Sequence, residues 1–369
     1  MPEPIERTIL IVEDDEEAIS SWERDIREFN RVPSQPIQFL PEFAKNKRDA
    51  VRALDRTRIH CAVVDLRLPK DDEPGAQNTE QMGNDILGRV LLEVGVPAVV
   101  YSGYPQEASD IVKASQIRIE GKRGGGGMDL LRWLAGHEGL MSAMDNMRKQ
   151  VERESAKLFS QSIWPRWEKA WRLLADPAPL GGVITRQVVA HVAEQLSLPP
   201  SYHHPEEFYF VPPLEADRLR TGDLLRLSDA VYVVVTPRCN LVRDDYPNHL
   251  MLALCKPMTG VWSGMRSRFN GVDRTKQDAA MKELQLYASQ GFAISTHFLP
   301  PCGSEGPWLV QFKEIITKPS AEAETMVNAR FASIAPQFVP NLVQRCAAYL
   351  GRIGQPDLDC DVLRAQASR

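Results

Sequence analysis

The chain has 369 residues, more than one hydrophobic core ordinarily serves, so two domains and a connector are expected. A formal net charge of -5 gives no global reason to bind nucleic acid, and no apolar run reaches the roughly 18 residues of a membrane span. Six scattered cysteines without a C-x-x-C pair read as reduced thiols, and the first residues lack the basic and apolar regions of a signal peptide; a cytoplasmic protein is expected.

From Thr8 to about Leu134, short apolar runs alternate with amphipathic stretches, the pattern of parallel strands joined by crossover helices. The strands are Thr8 to Val12, Ile37 to Leu40, Cys61 to Asp65, Ala98 to Ser102 and Ile117 to Glu120. Helices are expected to start near Glu16, Asn46, Asn84, Pro105 and Met128. The fold class is α/β here: a doubly wound, five-stranded parallel sheet. From Gly139 to Ala175 the composition turns helical, reading as one connector helix or a helix pair interrupted at Pro165, and PAPLGG (Pro177 to Gly182) reads as a break before a helix from Thr185 to Leu196.

Beyond Pro199, FYFVPP, DLLRL, VYVVVTP and HLMLALC are short β-like runs separated by Pro, Gly and Asp. They predict an α+β domain with a small antiparallel or barrel-like sheet, closed by helices over Ala321 to Phe331 and Pro340 to Ile353. The division is therefore residues 1–138, a helical connector over 139–199, and a C-terminal domain over 200–369. The Met and Trp stripe of the connector (Met141, Met144, Met147, Trp164, Trp167, Trp171) reads as a packing seam or a homodimer interface.

Right-handed crossovers bring the carboxyl ends of parallel strands to one edge. Glu13, Asp14 and Asp15 follow the first strand there, and Asp65 ends the third. Such carboxylates raise one another's pKa unless a cation relieves them, and Mg²⁺ suits a few carboxylate oxygens together with phosphate. Asp65 then has the chemistry of an oxygen nucleophile toward a phosphoryl donor. Ser102, ending the fourth strand, suits a hydrogen bond to a phosphoryl oxygen, and Lys122, past the fifth, pairs with another as a point charge. Taken singly, Asp14 and Asp15 equally suit the cap of a first helix, and Asp65 a strand-end turn.

ILIVEDDEEA, AVVDLRLP, AVVYSG and the later lysine, spread over residues 5–136, resemble the signature positions of the receiver domain of bacterial response regulators. The resemblance implies a flavodoxin-like fold, a histidine kinase as phosphoryl donor, Asp65 as phosphoacceptor, and Mg²⁺ on Asp14, Asp15, Asp65 and the Arg67 backbone carbonyl. Three features depart from the family: the polar stretch Lys70 to Asp85, Lys122 followed by Arg123 and four glycines, and Ile119 where an aromatic is usual. VVVTPRCNL and RFASIAPQFVPNLVQRCAAYLGRIGQPDLD are similar to phrases in receiver proteins of Detocs-type antiviral two-component systems. That resemblance implies a phosphate sink rather than an effector, since no nucleoside-phosphorylase domain is legible.

No helix-turn-helix or independent catalytic motif appears in the C-terminal two thirds, so a phosphoacceptor without a second enzyme activity is expected. Two other outputs stay open. One is a switched hydrolase or nuclease using Cys239, His249, Cys255 and Cys302; the other is a nucleic-acid regulator using Arg218, Arg220, Arg226, Arg266, Arg268 and Lys276. Gly124 to Gly127 read as a flexible loop, and His203 and His204 as surface residues.

Overall fold

A computed structural model describes residues 4–33, 35–71, 79–115, 117–122, 126–169, 178–197, 203–214, 217–242, 247–352 and 358–368. The chain forms two compact units, Met1–Leu198 and Pro199–Arg369.

In the first unit, β1 (Ile5–Val12), β2 (Ile37–Ala44), β3 (Cys61–Val64), β4 (Ala98–Ser102) and β5 (Arg118–Gly121) form a parallel sheet in the order β2-β1-β3-β4-β5. All five expected strands are present. The sheet is buried on both faces, which is why its strands read as nearly continuous apolar runs. On β1, Ile9 and Ile11 face α1 (Glu16–Arg31) and α5 (Gly127–Ala135), while Leu10 and Val12 face α2 (Lys47–Arg56), α3 (Glu80–Arg89) and α4 (Asp110–Ala114). Helix α1 buries Ile19, Trp22, Ile26 and Phe29, a three-and-four spacing that keeps one stripe against the sheet.

The local signals placed helix starts unevenly. Asn46 caps α2 by accepting from Asp49 N–H. Helix α3 starts at Glu80, four residues ahead of the expected Asn84, so the polar stretch after β3 ends earlier than expected; residues 72–78 lie outside the described residues. Near Pro105 there is only a 3₁₀ turn, Pro105–Glu107, before the five-residue α4, whose cap is Ser109.

Helix α6 (Glu138–Leu158) continues through a π turn (Phe159–Ile163) directly into α7 (Trp164–Lys169), so the segment is one connector helix and Pro165, which has no N–H to donate, follows a local π distortion instead of ending the helix. The expected break over Pro177 to Gly182 is overturned for its described part: α8 (Ala178–Ser197) starts inside it and holds Pro179 in its first turn. Each glycine within a helix costs about 1 kcal/mol, so propensity points to a break at Gly181 and Gly182 where the structure has helix. Helix α6 is fastened to the sheet by charge: Arg7, 5% exposed, donates to both Glu138 oxygens at 2.9 and 2.7 Å and to Ser142 Oγ, and Arg58 Nε lies 2.7 Å from Asp145.

The second unit is a seven-stranded sheet in the order β10-β11-β9-β8-β7-β12-β6, antiparallel throughout. Its strands are β6 (Tyr209–Phe210), β7 (Asp223–Leu227), β8 (Ala230–Val234), β9 (His249–Pro257), β10 (Thr296–Leu299), β11 (Trp308–Pro319) and β12 (Arg330–Ile334). A short α9 (Arg238–Val242) follows β8, and α10 (Thr259–Phe269) and α11 (Arg274–Ala288) pack Met265 and Tyr287 against Phe298. Helix α13 (Val339–Leu350) buries Leu342 and Cys346 on the sheet, and α14 (Cys360–Ala367) is exposed. The helix expected over Ala321 to Phe331 is shorter, α12 (Ala323–Asn328), because the following residues pair with β7 and β6 as β12.

Candidate functional site

The sheet register assembles the site. Val12 lies opposite Val64, and Asp65 N–H donates to Val12 carbonyl at 2.9 Å, so Glu13 and Asp65 leave adjacent strands at the same level. Ser102 lies opposite Gly121, and Lys122 N–H donates to the Ser102 carbonyl at 3.1 Å. Residues distant in sequence thus meet at one end of β1, β3, β4 and β5.

Glu13 and Asp65 are 2% and 7% exposed and Ser102 is fully buried. Glu13, Asp14 and Asp65 each present a carboxylate oxygen within 4.8 Å of the others. Lys122 Nζ reaches Asp65 Oδ2 at 2.6 Å and the two Glu13 oxygens at 2.9 and 2.7 Å. Burial pushes the Glu13 carboxyl above the usual carboxylate range, against the pull of Lys122. Burial also works against the Lys122 ammonium, but its hydrogen bonds to Asp65 and Glu13 prevail and raise its pKa. Glu13 and Asp65 share one lysine beside a third acid, and the carboxylate oxygens lie close enough together to suit a small divalent cation.

The structure does not bring Asp15 into this group. Asp15 caps α1, its Oδ1 accepting from Glu17 N–H at 2.8 Å and Ala18 N–H at 3.0 Å, while its own N–H donates to Glu13 Oε1 at 3.3 Å. The acidic partner of Asp14 and Asp65 is Glu13, contrary to the expected pairing of Asp14 with Asp15. The reason is local: the helix starts one residue after Asp15, so Asp15 meets the open N–H groups of its first turn. The apolar run Ile9–Val12 and the cap preference of aspartate were the available signal.

This chain is similar to solved receiver domains. One is a CheY-like response regulator receiver domain protein from Methanospirillum hungatei JF-1, 19% identical, covering 38% of this chain and 97% of its own, with a TM-score of 0.27. The signal receiver domain of a putative Luxo repressor protein from Vibrio parahaemolyticus is 16% identical, covering 38% and 96%, with a TM-score of 0.29. The response regulator protein TrrA from Thermotoga maritima, solved in complex with Mg²⁺-BeF, is 14% identical, covering 34% and 93%, with a TM-score of 0.25. No protein-family model and no curated protein matches the chain.

Sequence reasoning also missed the floor of the site. A Cβ on Gly83 would lie 2.4 Å from the Asp65 carbonyl oxygen and from Leu66 Cα, and Gly83 N–H donates to Leu66 carbonyl at 3.1 Å. The first turns of α3 are thus laid on the backbone that carries Asp65, an approach only glycine permits. Arg67 N–H lies 3.4 Å from Asp65 Oδ1. Arg123, Gly124 and Gly125 lie outside the described residues; Gly126 precedes α5 and Gly127 opens it.

The C-terminal candidates do not form a comparable cluster among the described residues. Cys239 sits exposed on α9 with Sγ toward Asn240 Oδ1, Cys255 is fully buried in β9 where burial pushes its thiol well up, and His249 is exposed at the start of β9. Of the basic residues, Arg226 pairs with Glu305, Arg268 with Glu283 and Lys276 with Asp273. His203 pairs with Glu207, and His204 caps the 3₁₀ turn at Pro205–Phe208.

Proposed function

We propose that the chain is a two-component signalling protein in which residues 1–138 are a receiver that accepts a phosphoryl group from a histidine kinase on Asp65. The observation that supports this reading is the meeting of Asp65 with Lys122, Glu13 and Asp14 at the carboxyl edge of a parallel sheet. An Asp65 carboxylate oxygen attacks phosphorus; the O–P bond forms as the P–N bond to the kinase imidazole breaks, and the imidazole leaves with that electron pair. Glu13, Asp14 and Asp65, with the Arg67 carbonyl, would hold Mg²⁺, which would supply positive charge opposite the transferring group. Lys122 turns its ammonium from the carboxylates to a phosphoryl oxygen, and Ser102 Oγ donates to another.

In this reading residues 139–199 are a connector suited to a homodimer, and residues 200–369 form the output or regulatory module. The finer reading is a phosphate sink of an antiviral system, motivated by the C-terminal phrases and by Ile119 in place of an aromatic on β5. Among the described residues the C-terminal candidates gather into no acidic cluster like that of the first unit, which supports a receiver chemistry over a separate C-terminal metal enzyme. Among the described residues no helix is long and apolar enough to cross a membrane.

Intact-protein mass spectrometry after exposure to acetyl phosphate and Mg²⁺ tests the reading. Wild type is expected to gain one phosphoryl group and Asp65→Asn none. Labelling of Asp65→Asn at an acid-stable residue, or no labelling of either, would sink it. A change in oligomeric mass on labelling would favour a switched output, and an unchanged mass the sink.

A further inference from the structure

The loops that leave β3 and β4 beside Asp65 are tied to each other. Arg67, two residues past Asp65, donates Nε to Glu107 Oε2 at 2.8 Å and Nη2 to Oε1, a fork-to-fork pair. Its guanidinium carbon lies 3.8 Å from the Tyr104 ring centroid. Tyr104 N–H donates to Ser102 Oγ at 3.2 Å, which places the ring's backbone against the other site residue.

Asn84 of α3 carries the connection onward. Its amide donates to the Glu107 carbonyl at 3.0 Å, and its Oδ1 accepts from Ser109 N–H at 2.8 Å. Ser109 is the cap of α4. A continuous set of directional contacts therefore runs from Asp65 through Arg67, Glu107 and Asn84 to the start of α4.

The Arg67 side chain is 40% exposed, so it has room to turn. A phosphoryl group on Asp65 would add close to two negative charges and three acceptor oxygens two residues from Arg67, whose backbone N–H lies 3.4 Å from Asp65 Oδ1, and it is a stronger bidentate partner for a guanidinium than the Glu107 carboxylate. We propose that the Arg67–Glu107 pair, seated on Tyr104, is the latch that passes the state of Asp65 to α4. With Asp65 unmodified, Arg67 holds Glu107 and fastens the loop at residues 103–109. With Asp65 phosphorylated, Arg67 turns to the phosphoryl oxygens and that loop and the start of α4 loosen. The differential contact that a two-state switch requires is the exchange of Glu107 for the phosphoryl group. This inference rests on Asp65 as phosphoacceptor and holds for a sink or a switched output alike.

The test uses the full chain with Mg²⁺ and fluoroberyllate as the phosphoryl mimic, with ¹⁹F NMR to register binding and hydrogen exchange to follow residues 103–115. Wild type is expected to show a bound fluorine signal and exchange in 103–115 faster by at least about threefold. Glu107→Gln and Arg67→Lys, which keep the size or the charge but lose the fork, are expected to exchange at the faster rate without the mimic and to rise no further. Bound fluorine with unchanged exchange in wild type overturns the latch and leaves the phosphoacceptor reading standing, as does a Glu107→Gln variant that behaves as wild type. No bound fluorine in wild type overturns the phosphoacceptor reading and the latch with it.

Discussion

Each unit buries a carboxylate, and the two are treated in opposite ways. In the second unit Asp223, fully buried, accepts from Ser333 Oγ at 2.6 Å and Arg220 N–H at 2.7 Å, with Arg330 Nη1 3.6 Å away. In the first, Glu13 shares one lysine with Asp65 while Asp14 adds a third carboxylate. Burial pushes both Glu13 and Asp223 upward. The difference is what surrounds them: Asp223 is closed in by its own donors, whereas Glu13 and Asp65 share one lysine beside a third acid at a sheet edge. A buried acid becomes a candidate site through that sharing and not through burial.

The largest effect should come from breaking the closed network. Asp223→Ala removes the acceptor of Ser333 Oγ and Arg220 N–H and the carboxylate beside Arg330, and is expected to lower stability by about 3–5 kcal/mol. Calorimetry should show the loss, while Asp65 still labels from acetyl phosphate; loss of labelling would break the separation of the two units. Next, Gly83→Ala forces a Cβ into the backbone of Asp65 and Leu66 and should cost about 1–3 kcal/mol and slow labelling. Gly88→Ala, in the same helix but with open space around it, is the control and should be neutral or mildly stabilising.

Glu13 sharpens the comparison through pH. Its carboxyl is raised in the folded state, so the folded chain holds that proton longer than the unfolded chain does. Its contribution to stability is therefore complete below the ordinary carboxylate value of 4.5 and is lost as pH rises through the raised folded value. Without Mg²⁺, Glu13→Gln should gain stability over wild type as pH climbs through that window, read as diverging melting temperatures. With Mg²⁺ the order should reverse, because the variant's affinity falls by about tenfold. Parallel melting curves would remove Glu13 from the cluster. The smallest effect is Asp15→Ala, which loses a helix cap, about 1 kcal/mol, with Mg²⁺ affinity unchanged, measured by calorimetric titration.

Much of the first unit is legible because buried parallel strands announce themselves by composition: Cys61–Val64 and Ala98–Ser102 are almost wholly buried and almost wholly apolar. The second unit hides more. Strand β11 carries Gln311, Lys313, Glu314, Thr317 and Lys318 and has a register shift between Gln311 and Ile315, so no clean period-two pattern marks it. Strand β12 follows α12 with one residue between, Ala329, and only its pairing with β7 and β6 separates it from the helix.

By itself the amino-acid order determined that five apolar strands alternate with helices and that acids, Ser102 and Lys122 follow strand ends, because periodicity and chain order are local properties. Only the tertiary structure decided that Glu13 joins Asp14 and Asp65 while Asp15 caps α1, and that Arg67 grips Glu107. Those choices turn on the register of β1 against β3 and on the residue at which each helix opens. A one-residue step along either element carries a carboxylate from the shared edge to a helix terminus, a distinction that cap preference hints at and that only the register and the helix start settle.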